Sequence, residues 1–189
     1  QYVIRPKTEA WHDFRGFSGM LYGGNLKVGD EVTLLPSLTT SKIKSIHYFD
    51  QEIQEATPGS SIAITLETEV DLSRGDMLVK SSAVPRSEKQ ITATICQVNN
   101  KALTVGKKYI LQHGVNRVMA KVDQIESRIH TDFSGGEDAH SLKLNDIGRV
   151  HFRLNKPIHF DSYKSNKSNG SFILIDEAEY DTVSVGFIE

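Results

Sequence analysis

The tripeptide Arg74-Gly75-Asp76 has the most recognisable chemistry in this sequence, because integrins bind the same three residues in extracellular matrix proteins. The chain contains a single cysteine, Cys96, so no disulfide can form within it. That favours a reducing compartment, and we expect a cytoplasmic location rather than an adhesive role. We predict instead that the tripeptide is a structural turn. Glycine permits positive φ there, and the aspartate bonds nearby backbone N–H groups.

The sequence carries no nucleotide-binding motif. A P-loop requires G-x-x-x-x-G-K-[ST], so that backbone N–H groups and a lysine surround the phosphates. The nearest approach runs from Gly24 to Gly29 and continues with Asp30 and Glu31, which places two carboxylates where a cation is required. The segments NKAL and NKPI both lack the aspartate of the guanine-reading N-K-x-D motif. We therefore predict that this chain binds no cofactor.

No arrangement of catalytic or metal-ligating residues is evident either. The seven histidines form no H-x-x-x-H or H-x-H pair, so we expect no zinc site. The acidic residues within 177–181 are predicted to lie at a hairpin tip, and Cys96 is predicted to be a packed thiol. We predict no catalytic residue and no metal ligand.

One polar loop, residues 161–171, is a candidate contact surface. It contains Tyr163, Lys164 and Lys167, an amphipathic ring with two cations. Binding residues concentrate in loops held by a rigid scaffold, and exposed tyrosines are frequent at contacts. The functional interpretation is an interface with an acidic partner or a phosphate. The alternative is a solvated hairpin tip, and the residues alone leave both interpretations open.

Composition argues against two kinds of partner. The formal net charge is −2 and the pI is about 6.4, so the chain has no general attraction for nucleic acid. No apolar run approaches the roughly 18 residues of a membrane helix. The first residues, QYVIRP, are no signal peptide and fall directly into a strand-like pattern, which suggests a piece of a longer protein.

Apolar residues alternate with polar ones in most of the sequence, which is the pattern of half-buried strands. Turn residues separate these runs, so we predict an all-β fold of two tandem antiparallel β-barrels. The segment 81–86 interrupts the strands, which gives domains 1–82 and 83–189. Short helical turns are expected near 9–13 and 137–141, and no sequence repeat between the halves is apparent.

The first half contains the spacing G-x-L-x-x-G-x-L-x-x-G-D-x-V and a later R-G-D before its last strand. The residues concerned are Gly19, Leu21, Gly24, Leu26, Gly29, Asp30, Val32, Arg74, Gly75 and Asp76. This arrangement resembles the second domain of the translation-factor GTPases, a β-barrel that follows their nucleotide-binding domain. The resemblance implies that Gly29, Asp30 and the tripeptide are turn residues.

The second half contains a more specific pattern. Its residues are Asn145, Ile147, Pro157, Asp161, Tyr163, Asn166, Gly170, Ile173, Ile175 and Asp176. This stretch resembles the third domain of the large subunit of bacterial sulfate adenylyltransferase. The segments QYVIRP, FRGFSG, SKIKSI and DLSRGD look like parts of the same protein, so the resemblance covers essentially all of the chain.

The resemblance implies a role without chemistry of its own. In that family a small subunit makes adenosine 5′-phosphosulfate from ATP and sulfate, and GTP hydrolysis by the large subunit drives the step. The partners implied are the small catalytic subunit and the chain's own N-terminal GTPase domain, which would hold GTP and magnesium. The process is sulfate assimilation toward cysteine. The alternative is the RNA-contacting barrels of a translation elongation factor, for which a basic face would be expected.

Overall fold

The computed structural model describes residues 2–4, 15–130, 132 and 134–189. Every regular element in these residues is a β-strand, and all strand pairs are antiparallel. The prediction of an all-β fold built from antiparallel barrels is confirmed. None of the described residues forms a helix long and apolar enough to cross a membrane.

The chain divides into two compact units, Gln1–Val84 and Pro85–Glu189, which we call the first and the second unit. The division lies inside the segment 81–86, two residues beyond the boundary that the sequence suggested. Each unit has its own cluster of buried apolar side chains.

The first unit is a sheet with the order β1-β2-β8-β5-β4-β9, in which β6 also pairs with β5, and a small separate ladder joins β3 to β7. Its inward side chains include Phe17, Val32, Leu34, Ile43 and Ile46. The strands are β1 Tyr2–Ile4, β2 Gly16–Met20, β3 Leu26–Lys27, β4 Glu31–Leu35, β5 Thr39–Tyr48, β6 Gln51–Ile53, β7 Glu55–Ala56, β8 Ser61–Leu66 and β9 Met77–Lys80.

The second unit is a closed six-stranded barrel with the order β12-β17-β18-β10-β16-β13, because β13 also pairs with β12. Closure leaves no free edge on this ring of strands. The strands are β10 Arg86–Gln97, β11 Leu103–Thr104, β12 Lys108–His113, β13 Asn116–Ile129, β14 Gly136–Glu137, β15 Ser141–Leu142, β16 Ile147–Phe160, β17 Ser171–Ile175 and β18 Thr182–Ile188.

The two units repeat a nine-residue segment that the sequence analysis missed. Residues 26–34 read LKVGDEVTL and residues 103–111 read LTVGKKYIL. In each, the glycine N–H donates to the long strand that follows, at 2.8 Å from Ile43 O and 2.8 Å from Val122 O respectively. Each segment then leads into a hairpin, β4–β5 or β12–β13.

Two local predictions have different outcomes. The helical turn expected at 137–141 is wrong, because its two ends belong to β14 and β15, which pair with β13 and β11. The turn expected at 9–13 lies outside the described residues.

Candidate interface loop and turn residues

Gly29 and Asp30 form the turn that leads into β4. Gly29 has φ +85°, and the Asp30 N–H donates to Lys27 O at 3.1 Å. This is a type II turn, whose third residue requires positive φ. The Lys27 N–H in turn donates to Asp30 Oδ2 at 2.8 Å, so the side chain closes the turn a second time.

Arg74-Gly75-Asp76 forms the same turn in front of β9. Gly75 has φ +102°, and the Asp76 N–H donates to Ser73 O at 3.1 Å. The Ser73 N–H donates to Asp76 Oδ2 at 2.7 Å. Arg74 is exposed. The glycine and the aspartate of the tripeptide are thus engaged in a local turn.

A third copy of this turn leads into β16. Asn145 has φ +69°, the Asp146 N–H donates to Lys143 O at 2.8 Å, and the Lys143 N–H donates to Asp146 Oδ2 at 2.8 Å. Asparagine tolerates this backbone region better than most residues, which explains its presence here. The Arg-Gly-Asp sequence is therefore one of three turns before a strand that are closed by an aspartate side chain as well as by the backbone.

The loop 161–170 links β16 to β17, two strands that are not paired with each other, so it is not a hairpin tip. Its conformation is fixed by Asp161, whose Oδ2 accepts from Asn166 Nδ2 at 3.1 Å and from Asn169 Nδ2 at 3.0 Å. The Asn169 carbonyl accepts from His113 Nε2 at 2.9 Å. Buried polar groups that are fully paired hold a loop in one conformation.

Tyr163 is part of this fixed structure. Its ring packs on Phe187, with 4.6 Å between the ring centroids, and its N–H donates to Ile188 O at 2.8 Å. The side chain is half-buried. Gly170 lies directly against it, because a Cβ added there would be 2.4 Å from Tyr163 Cα. The family-pattern residues Tyr163 and Gly170 therefore pack against each other.

Lys164 and Lys167 differ from Tyr163. Both side chains are exposed, and neither forms an ion pair with any residue in the described part of the chain. The structure therefore separates the three predicted interface residues. The tyrosine is largely used in packing, and the two ammonium groups remain available to an external anion.

Two polar clusters were not found from the sequence. On the outer face of the second unit, Glu126 accepts from Arg149 at 2.6 and 2.7 Å and from His151 Nε2 at 2.8 Å. Arg149 and then His151 lower the pKa of the Glu126 carboxyl. Burial lowers the pKa of His113, which lies under the 161–170 loop. These contacts join residues up to 56 positions apart, so no local sequence pattern predicts them.

A cleft of about 540 Å³ lies in the first unit, lined by both acids and bases, among them Arg15, Lys44, His47 and Glu52. None of the predicted site residues lies in it. Cys96 is half-buried on β10. Within the described residues, no group of three or more histidine, cysteine or acidic side chains could hold a metal ion.

Comparison with known proteins places these features in a family. Residues 90–189 match the family model described as GTP-eEF1A C-terminal domain-like. The chain belongs to this family. The GTP-eEF1A C-terminal domain-like region covers the second unit almost completely. A solved structure of Sup35 complexed with GDP shares the fold, with a TM-score of 0.81 and 15% sequence identity, over 92% of this chain and 43% of that one.

Curated relatives match along the whole chain. Sulfate adenylyltransferase subunit 1 of Shewanella woodyi is 39% identical over 188 residues, and the match covers 39% of that protein. The bifunctional enzyme CysN/CysC of Rhodopirellula baltica is 38% identical, and the match covers 28% of it. The resemblance stated from the residues is confirmed. The chain spans about two fifths or less of the length of these relatives.

Proposed function

We propose that this chain is the two-barrel part of the GTPase subunit of a sulfate adenylyltransferase. The observation that carries the proposal is the match along the whole chain to sulfate adenylyltransferase subunit 1 at 39% identity. A likeness in fold alone would leave many functions open, because the same fold serves unrelated ones. Identity of this size over 188 residues supports a much narrower assignment.

The two barrels bind the other parts of the enzyme, and the chemical steps take place on those other parts. ATP and sulfate combine on the small subunit, and GTP hydrolysis on a preceding GTPase domain drives that step. GTP and its magnesium do not fit this chain, because Gly29 is followed by the carboxylates Asp30 and Glu31 where a P-loop requires lysine and a hydroxyl. The work of this chain is to hold the GTPase domain and the small subunit in position.

The contact surface that we propose is centred on Lys164 and Lys167. Both are exposed cations without an ion pair among the described residues, on a loop that is already ordered by Asp161 and Asn169. An ordered loop loses little conformational entropy on binding. A lysine whose charge pair is desolvated in an interface contributes about 2 kcal/mol or more, whereas an exposed pair contributes less than about 1 kcal/mol.

The test uses the full-length protein and its small subunit. In the double variant Lys164→Glu/Lys167→Glu, small-subunit affinity is expected to fall about 30-fold or more. The matched control is Lys108→Glu/Lys121→Glu, two exposed lysines that face each other across β12 and β13. Binding is measured by calorimetry, together with sulfate-stimulated GTP hydrolysis and the melting temperature.

The outcomes separate the two parts of this proposal. If Lys164→Glu/Lys167→Glu binds the small subunit as tightly as the control variant, Lys164 and Lys167 are solvated and not part of the interface. The assignment to the enzyme would then still stand. Failure of the wild-type protein to bind the small subunit would reject the assignment itself. Salt-dependent RNA binding by the wild-type protein would then favour the elongation-factor alternative.

A further inference from the structure

A strained aromatic residue occupies the tip of the β5–β6 hairpin. Tyr48 and Gln51 are the last paired residues, so Phe49 and Asp50 form a two-residue loop. Phe49 has φ +54°. Positive φ at the first central residue of a two-residue loop and not at the second, Asp50, is the pattern of a type II′ turn, and glycine is the usual first residue there. Positive φ is a genuine outlier for a bulky side chain.

The Phe49 ring makes few stabilising contacts within the chain that could offset this strain. Phe49 is 85% exposed, and its one ring partner among the described residues is Tyr48, at 4.7 Å in an edge-on arrangement. An edge-on pair contributes about 0.5–1.5 kcal/mol, whereas an unfavourable backbone region costs about 1–3 kcal/mol. An observed outlier of this kind, with no evident structural return, points to a function for the ring.

Other exposed apolar side chains gather at the same end of the sheet. The ladders pair Met20 with Ser61 on β8, and pair His47 with Ala63, two residues further along the same strand. The ends of β2 and β5 therefore flank the start of β8. Met20 shares a face of the sheet with Ser61 and His47, whereas Tyr48 lies on the other face. Tyr22, Tyr48 and Phe49 are 59%, 41% and 85% exposed, and we call them the apolar patch.

The stretches of chain that form the apolar patch carry charges of one sign. The three stretches that meet at this end are residues 20–24, 48–52 and 57–61, and the turn at 57–60 is tied to Leu21 by two backbone hydrogen bonds of 2.8 and 2.9 Å. Their charged residues are Asp50 and Glu52, with no lysine or arginine. Glu52 also lines the cleft that Arg15 and Lys44 line, so Asp50 is the carboxylate left beside the ring. A complementary surface would place basic side chains around an apolar pocket.

We propose that the apolar patch is a docking site for a second protein, into which Phe49 inserts as the central anchor. The partner surface carries an apolar pocket flanked by a lysine or arginine side chain that faces Asp50. Interface centres are enriched in aromatic residues, and a few of them dominate the affinity. Taking the small subunit as this second protein rests on the proposed function. The patch belongs to the first unit, and Lys164 and Lys167 belong to the second.

The experiment compares two glycine substitutions in the full-length protein. Phe49→Gly removes the ring and also relieves the positive φ. Leu38→Gly is the matched control, because Leu38 is also an exposed apolar residue, at 65%, with φ +60°, and lies at the opposite end of β5. Small-subunit affinity and the melting temperature are measured for both. We expect neither melting temperature to fall, and only Phe49→Gly to weaken binding, by at least tenfold.

Three results would overturn the inference. Unchanged small-subunit affinity in Phe49→Gly would show that the ring makes no such contact. A melting temperature that falls in Phe49→Gly but not in Leu38→Gly would place the ring against the rest of the same polypeptide. No binding by the wild-type protein would reject the proposed function and this partner together, whereas normal wild-type binding with an inert Phe49 rejects the inference alone.

Discussion

The two units begin their main hairpins with the same backbone turn, but they place opposite charges on it. In the first unit the turn ends in Asp30, whose Oδ2 lies 2.8 Å from Lys80 Nζ. In the second unit it ends in Lys107, whose Nζ lies 3.0 Å from Asp176 Oδ2. In both, the partner lies at the end of the strand that pairs with the first strand of the hairpin. The ion pair is the same with acid and base exchanged.

Because acid and base are exchanged, the carboxylates of the two ion pairs accept hydrogen bonds from different backbone N–H groups. Asp30 also accepts a backbone N–H within its own turn. Lys107 has no acceptor, and its turn relies on a longer backbone hydrogen bond, 3.4 Å against 3.1 Å at Asp30. The carboxylate of the second unit instead accepts N–H groups from Ala178 and Glu179, in the loop between β17 and β18. One carboxylate therefore stabilises the turn before the hairpin, and the other stabilises a different hairpin.

This difference shows that the backbone sets the position of the ion pair and leaves its polarity open. Ionic attraction is symmetric in the two partners, whereas capping of N–H groups requires an acceptor. The turn glycine is needed in both units because φ is +85° at Gly29 and at Gly106. Replacing the turn glycine should therefore lower the free energy of unfolding equally in the two units. Replacing the charged residue of the turn should have a different effect in each unit.

The largest effect is expected from the turn glycines. Gly29→Val and Gly106→Val should each lower the free energy of unfolding by about 1–3 kcal/mol, because a β-branched residue strains at this φ. A Cβ would meet no atom within 4 Å at either position, so the cost is backbone strain and not a clash. Gly75→Val, with φ +102°, belongs to the same class.

Chemical denaturation of each variant measures this effect. The control is asparagine at the same positions, which tolerates positive φ and should cost less. Wild-type stability in Gly29→Val or Gly106→Val would contradict this prediction, because that turn would then not require glycine.

The glycine turns and the strands could be predicted from the sequence because their causes are local. Alternation in Ile62–Leu66 and Val150–Leu154 reflects one buried face of a strand, and positive φ at Gly29 and Gly75 follows from turn chemistry. The repeat is not apparent from the sequence because the equivalent residues Asp30 and Lys107 carry opposite charges.

The packing within the loop 161–170 and the strain at the tip of the β5–β6 hairpin could not be predicted, because their causes are distant in sequence or unusual. Tyr163 packs on Phe187, 24 positions away, and this contact depends on how β18 closes the barrel. Asn169 is held by His113 on another strand. Phe49 occupies a position where local rules favour glycine, so its strain appears only in the backbone angle.

An intermediate effect is expected when the two carboxylates are titrated. Lys107, followed by the Ala178 N–H, lowers the pKa of Asp176 from 3.8 to about 2. A depressed carboxyl pKa means that the folded state binds fewer protons than the unfolded state. The contribution of Asp176 to stability is therefore complete above about pH 5 and is lost as the pH falls from about 4 to 2. Lys80 lowers the pKa of Asp30 in the same direction.

The measurement is the stability gap between the wild-type protein and the variants Asp176→Asn and Asp30→Asn at pH 6 and pH 3. Both gaps should narrow at pH 3, and more so for Asp176→Asn, whose pKa shift is the larger one. Hydrogen exchange at the Ala178 and Glu179 amides reports the second unit specifically. A gap for Asp176→Asn that widens with acid would contradict the assigned ion pair.

The smallest effect is expected at the tripeptide, where the comparison with the turn before β16 is sharpest. Asp76→Ala and Asp146→Ala each remove a carboxylate that accepts a backbone N–H, at 2.7 and 2.8 Å, and should each cost about 1 kcal/mol. Arg74→Ala removes an exposed side chain and should stay within about 0.5 kcal/mol of the wild-type stability. Because Asp146 also lies 3.7 Å from Arg128, its variant should be the more costly of the two. Thermal denaturation ranks the three, and a loss at Arg74 as large as that at Asp76 would mean that the arginine has a role of its own and that the tripeptide is more than one variant of a common turn.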